Sequence, residues 1–146
     1  MSTDTHADKI FLNKLLNGET INSHFAGNPL GEAMQLHIEK ISLHKIILKF
    51  TISRMFTQGN GVIQGGIVSA MLDFGAAYIG LLNTEPDKVV VTTNLSINYL
   101  RAAPAGQYFV EAELDKAGSK MVFASAKLYQ QAGKNIASAV FSMAVV

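Results

Sequence analysis

Between Gly65 and Leu82 the chain is apolar at almost every position, from Ile67 and Val68 through Met71, Leu72 and Phe74 to Leu81 and Leu82. The stretch lacks strand-like alternation and proline and is longer than an ordinary strand, so it predicts a helix. A helix that is apolar on every side is one surrounded by protein. Asn83–Asp87, with Pro86, ends it. Four strand-like segments follow at Val89–Leu100, Tyr108–Lys116, Val122–Gln130 and Asn135–Val145, punctuated by Pro104-Ala105-Gly106, Gly118 and Gly133, which predicts an antiparallel meander. Upstream, Met34–Leu43 and His44–Ser53 read as two tightly joined strands, with Ile46, Leu48 and Phe50 sharing a face with His44. Lys9–Leu16 reads as a short amphipathic helix stopped by Gly18, and Phe25–Gly31 and Arg54–Ile63 read as loops. Strands and helices in this order indicate an α+β fold, not a parallel α/β sheet.

The chain has 146 residues without a break in character, so residues 1–146 are expected to form one domain, with an N-terminal helix and loop over residues 1–30. With 49% hydrophobic and only 16% charged residues, the surface is short of charge. That shortage suggests that a second copy of the chain covers part of it. A net charge of +1 with scattered basic residues argues against a nucleic-acid partner. The absence of cysteine removes thiolate nucleophiles, disulfides and zinc–thiolate sites. The N-terminus lacks a basic patch followed by an apolar run, so no secretory signal is expected and the cytoplasm is the expected location. Ile67–Leu82 is read as too short for a membrane span and carries Asp73 near its middle, which predicts a buried helix with no membrane contact.

Within the central helix the only strongly polar positions are Ser69 and Asp73, four apart and so on one face, together with the small residues Gly66, Ala76, Ala77 and Gly80. A buried, unpaired carboxylate costs several kcal/mol, so Asp73 needs a partner or a purpose. It is either a structural acid that caps a neighbouring loop, or a general base or nucleophile in a cleft opened by the small residues. Immediately upstream, Gly61-Val62-Ile63-Gln64-Gly65-Gly66 feeds into the helix. Its N–H groups and the helix dipole are suited to an oxygen that gains negative charge during acyl transfer, although paired glycines before a helix also serve as ordinary turn residues.

The segment Gly61–Asp73, with its glycine pair followed by an acid on the helix, resembles the hotdog-fold thioesterases of the phenylacetate-degradation type, in the superfamily of the 4-hydroxybenzoyl-CoA thioesterases. Thr92–Arg101, with Pro104 and Gly106 after it, is similar to the strand and turn that follow the helix in that family. The resemblance implies a long central helix wrapped by an antiparallel sheet and an acyl-CoA thioesterase that needs no cofactor beyond the coenzyme A of its substrate. It further implies that Gly65 donates its N–H to the thioester carbonyl, that Asp73 acts as base or nucleophile, and that Thr92 orients the water or the acid. In relatives the acid comes from the opposite subunit, so the resemblance implies a homodimer with sites at its interface, often paired again into a tetramer. Gln64 stands where many relatives have His. The family's upstream Asn falls at Gln58 by spacing, while an actual Asn lies at Asn60.

Gly66, Met71 and Phe74 are candidate substrate contacts, the latter two as core residues of a helix that is also a pocket wall, and Arg101 is the candidate for a coenzyme A phosphate. A regular strand over Val89–Leu100 places Thr93, Leu95, Ile97 and Tyr99 on one face, with Thr92, Asn94, Ser96 and Asn98 on the other. His6, His24, His37 and His44 lack metal-ligand spacing, so no metal is expected and ordinary polar roles are. Two rival functions stay open. One is an acyl-thioester dehydratase or hydratase of the same fold, and the other is an acyl-CoA-binding module without chemistry.

Overall fold

The computed structural model describes residues 6–19 and 27–146. Helix α1 (Ala7–Leu16) and a five-residue helix α2 (Pro29–Ala33) lead to strands β1 (His37–Ile41) and β2 (Lys45–Ile52). A short 3-10 turn over Arg54–Phe56 precedes the long helix α3 (Gly65–Leu82). Strands β3 (Val90–Tyr99), β4 (Gly106–Ala117), β5 (Met121–Tyr129) and β6 (Asn135–Val145) complete the chain. All six strands form one sheet in the order β1-β2-β4-β5-β6-β3, every neighbouring pair antiparallel. The sheet wraps α3, which packs on β2, β3, β4, β5 and β6, while α1 lies against α3. This is the α+β hotdog architecture, and α3 has the bounds that its apolar run predicts.

The inner face of the sheet follows the two-residue period of each strand. Ile46, Leu48, Phe50 and Ile52 of β2 are buried, and so are Tyr108, Val110 and Ala112 of β4 and Ala137, Ala139, Phe141 and Met143 of β6. His44 falls outside β2 and is exposed, so it does not share that face. The small residues of α3 set how closely helix and sheet approach. A Cβ added at Gly75 would meet Val110 Cγ1 at 2.7 Å and Ala112 Cβ at 3.1 Å, and one at Gly80 would meet Val90 Cγ2 at 2.9 Å. Ala76 is fully buried as well. Gly80 and Ala76 therefore seat the sheet and do not leave space beside Asp73.

By length and composition α3 suffices to cross a membrane, with 18 residues and a mean hydropathy of 1.5, so the expectation that it is too short does not hold. Its apolar surface is instead spent on the sheet, with 56% of the helix buried inside the chain.

Three further local differences from the sequence reading have physical causes. The loop expected over Phe25–Gly31 contains the start of α2 where it is described; Phe25 and Ala26 lie outside the described residues. Asn28 caps α2 by accepting a hydrogen bond from the Gly31 N–H at 3.0 Å, and Pro29 occupies the first turn, where its missing N–H costs nothing. Arg54–Phe56 forms a 3-10 turn within the expected loop. Strand β3 carries a bulge: Thr92 pairs with Met143 and Asn94 with Ser142, leaving Thr93 as the extra residue.

Helix α1 is fastened by a buried cation. Lys9 is only 4% exposed, and its Nζ lies 2.9 Å from Thr84 Oγ1 and donates to the carbonyls of Thr84, Glu85 and Lys88 just past the end of α3. An ammonium is a donor only, and here it meets the unpaired carbonyls that a helix end and its exit turn present.

The close approach at Gly75 gives a test. Alanine there improves helix propensity yet forces its methyl into Val110, so Gly75→Ala should lose about 1–3 kcal/mol of stability. Urea unfolding followed by circular dichroism measures it, and a stability equal to or above the parent's would contradict the packing.

Candidate active site

Asp73 sits on the third turn of α3 and is half-buried. Its Oδ1 accepts a hydrogen bond from Thr92 Oγ1 at 2.7 Å. The bulge at Thr93 makes this contact possible. Thr92 and Val90 turn toward the helix, and beyond the bulge Leu95, Ile97 and Tyr99 resume that side, opposite the inward-facing Phe141, Ala139 and Ala137. Regular alternation would have placed Thr92 with Asn94, Ser96 and Asn98. The extra residue changes the phase and brings a hydroxyl to the carboxylate.

A cavity of about 200 Å³ opens beside Asp73. Its apolar walls come from Ala70, Phe74, Ala77 and Leu81 of α3, with Val90 from β3 and Leu30 from α2. Phe74 packs edge-on to Tyr78 with ring centroids 5.7 Å apart. Met71 takes no part in this lining and is fully buried in the core, so only Phe74 of the two expected pocket residues reaches the space. The far end of the cavity is polar: Tyr78 Oη donates to Asp8 Oδ1 at 2.9 Å, Asn28 Nδ2 donates to Asp8 Oδ2 at 3.1 Å, and His6 Nδ1 lies 3.7 Å from Asp8 Oδ2. Sequence reasoning missed this end, because Asp8 and Tyr78 are 70 residues apart and nothing local to α1 signals the contact.

A larger depression, about 360 Å³, lies on the outer face of the sheet, bordered by Ser96, Asn98, Glu111 and Lys127. Lys127 pairs with Glu111 there at 3.2 Å, and no residue of α3 takes part. It is a polar trough remote from Asp73.

The glycine pair forms a second locus at the start of α3. Gln64 is the N-cap; its carbonyl accepts from the N–H groups of Ile67 and Val68, and its exposed side chain makes no capping bond. The N–H groups of Gly65 and Gly66 find no acceptor among the described residues. They are the outward-pointing donors that a helix start leaves over. No contact within 4 Å awaits a Cβ at Gly66. Tyr99, 56% exposed, holds this turn from β3: its hydroxyl is 2.7 Å from Ser69 Oγ and 3.2 Å from the Gly65 carbonyl, which Ser69 Oγ also reaches at 3.1 Å. Ser69 was visible in the sequence as the polar neighbour of Asp73, whereas Tyr99 carried no signal of its own.

The other candidates lie around this second locus. Gln58 and Asn60 are exposed in a tight turn, where the Gln58 N–H bonds the Val62 carbonyl at 2.8 Å and Asn60 Oδ1 accepts weakly from the Val62 N–H at 3.4 Å. Gly61 completes the turn at φ +83°, a conformation that favours glycine. Arg101 is exposed just past β3, in the segment whose Ala103 carbonyl accepts from the Ile63 N–H at 2.7 Å. Asp73 and Thr92 are thus brought together. Gly65, Gly66 and Gln64 stand apart from them, since eight residues of helix separate Gly65 from Asp73 by about 12 Å along the axis. No cluster of three metal-ligating side chains occurs among the described residues.

Comparisons with known proteins bear on the family and the fold. A family model described as the thioesterase superfamily matches residues 60–137, just over half of the chain, and includes the glycine pair, Asp73 and Thr92. A candidate esterase of Pseudomonas aeruginosa is 29% identical over 86 residues, which are 58% of this chain and 64% of that protein, so the match spans less than two thirds of the relative's length. Among solved structures, a candidate thioesterase of Ralstonia eutropha described as phenylacetic-acid-degradation-related superposes with a TM-score of 0.79 at 25% identity, over 92% of this chain and 98% of that one. A Streptococcus mutans protein solved with bound acetyl-CoA superposes with a TM-score of 0.71 at 18% identity, over 76% and 88% of the two chains.

The Asp8–Tyr78 contact has a measurable pH consequence. Burial, and then the charge and hydrogen bond of Asp8, push the Tyr78 pKa up; burial also raises those of Tyr108 and Tyr129. The folded chain keeps protons that the unfolded chain releases above about pH 10, so stability should fall as pH rises past that value. Tyr78→Phe should make the fall shallower while costing about 1.5–3 kcal/mol near neutrality through the lost charged hydrogen bond. Urea midpoints between pH 7 and pH 11 give both quantities.

Proposed function

The chain belongs to the thioesterase superfamily, and from that membership we propose that it hydrolyses an acyl-CoA thioester to the free acid and coenzyme A. The observation that carries the reading is Asp73: a half-buried carboxylate, hydrogen-bonded to the Thr92 hydroxyl, that opens onto a largely apolar cavity. The acyl group occupies that cavity. The unpaired N–H groups of Gly65 and Gly66 stabilise the oxyanion that forms when the thioester carbonyl is attacked. Asp73 either takes a proton from the attacking water or attacks the carbonyl itself, and Thr92 holds it in position. Gln64, exposed at the helix cap, donates a hydrogen bond to the same oxygen, and Arg101, exposed just past β3, meets a coenzyme A phosphate. A fold neighbour solved with acetyl-CoA supports a thioester of this class as ligand.

The 12 Å between Gly65 and Asp73 exceeds what one carbonyl group can bridge, which supports a site built from two copies. Strand β3 offers the surface for it: it is the longer of the two edge strands of the sheet, ten residues against five in β1, with Val91 and Tyr99 at least half exposed. An edge of this kind pairs readily with its own symmetry mate. Antiparallel pairing of two β3 strands sets the Gly65 turn of one copy toward Asp73 of the other, in a homodimer with two equivalent sites; two such dimers can pair again.

One observation favours the hydratase reading, since His6 lines the cavity that Asp73 opens on. Conversion of a 2-enoyl-CoA without release of coenzyme A would select it.

Two variants and their mixture test the proposal. Asp73→Ala should lower kcat on an acyl-CoA panel by about 10³-fold or more. Gly65→Pro deletes one N–H at a helix position that tolerates proline, and should cost about 10²–10³ in kcat with the fold intact. Refolding the two variants together should restore about a quarter of the parental activity, because half of the dimers then hold one complete site. Equal rates in parent and Asp73→Ala would remove the acid from the mechanism, and absence of any restoration would place the whole site within one chain.

A further inference from the structure

The cavity beside Asp73 is lined by a second carboxylate. Asp8 is 8% exposed and is held by Tyr78, five residues beyond Asp73 on α3 and so about 7.5 Å further along the helix axis. Its partners are the neutral donors Tyr78 and Asn28, with His6 Nδ1 at 3.7 Å. Among the described residues no Lys or Arg pairs with it, and the neighbouring Lys9 turns its ammonium to the carbonyls past α3. An ionised carboxylate has about four acceptor positions, and the hydrogen bonds from Tyr78 and Asn28 leave it further capacity. The cavity measures about 200 Å³. An acyl group that enters beside Asp73 shares this space with Asp8.

Resting on the thioesterase reading, we propose that Asp8 reads the far end of the acyl group, so that the enzyme prefers acyl chains ending in a hydrogen-bond donor and rejects those ending in a carboxylate. A hydroxyl there gains a charged acceptor that is itself almost fully buried. A methyl end gains only contact with the apolar wall. A second carboxylate meets a like charge across a short, poorly solvated gap, which is rejection by repulsion and not by size. Helix α1 is then a wall of the substrate site, and Asp8 is a specificity residue contributed by the N-terminal part of the chain.

Three thioesters of matched length separate end chemistry from chain length: hexanoyl-CoA, 6-hydroxyhexanoyl-CoA and adipyl-CoA, compared by kcat/KM. The parent should favour the hydroxylated chain and disfavour adipyl-CoA by about tenfold or more relative to hexanoyl-CoA. Asp8→Asn, which keeps the shape and an acceptor for Tyr78, should bring adipyl-CoA to within about threefold of hexanoyl-CoA. Tyr78→Phe, which frees Asp8 Oδ1 and keeps the charge, should raise the hydroxyhexanoyl-to-hexanoyl ratio by about threefold and leave adipyl-CoA rejected. The role of Asp8 is overturned if the parent does not reject adipyl-CoA, if Asp8→Asn preserves the parental order, or if Tyr78→Phe changes no ratio, and in each case the thioesterase reading survives. Failure of the parent to hydrolyse any of the three overturns that reading and the role of Asp8 with it.

Discussion

Everything in this molecule is arranged around the need to hide an 18-residue helix that is apolar on all sides. One sheet face cannot cover a cylinder, so the sheet curls around α3 and α1 closes part of what is left. The fit is tightest at Gly75 and Gly80, where even a methyl group would strike the strands. Such contact holds the helix in one rotation and one depth relative to the sheet. The polar residues of α3 therefore emerge at defined points, Ser69 toward β3 and Asp73 toward the cavity.

Strand β3 ties both halves of the candidate chemistry to that helix. Thr92 holds the carboxylate, and seven residues later Tyr99 holds the carbonyl of Gly65. Consecutive glycines at a helix start are conformationally loose, so a clamp from outside the helix matters more there than it would for alanine. The same strand is one of the two edges of the sheet.

The sequence made the elements legible because each had a strong period of its own. The bounds of α3 and β6 follow directly from their apolar pattern and flanking breakers, and the glycine pair and acid stand out because they interrupt that pattern. What was hidden depends on single residues or on distant contacts. The bulge at Thr93 changes which face of β3 carries Thr92, and no composition rule reports one extra residue in a strand that alternates well on either side. Ala76 and Gly80 looked like room beside Asp73 yet serve close packing, since small residues look the same in sequence whether a strand or a ligand fills the gap. Asp8 and Tyr78 meet only because α1 packs against α3.

The Lys9 ammonium adds a practical handle. Most lysines of the chain are exposed, whereas this one is enclosed by carbonyls at the exit of α3. An amine-acylating reagent reaches the exposed lysines at once, but meets Lys9 only after α1 has lifted from the helix. The labelling rate of that one side chain is then an opening rate for the wall of the cavity, readable by peptide mass in an otherwise folded protein.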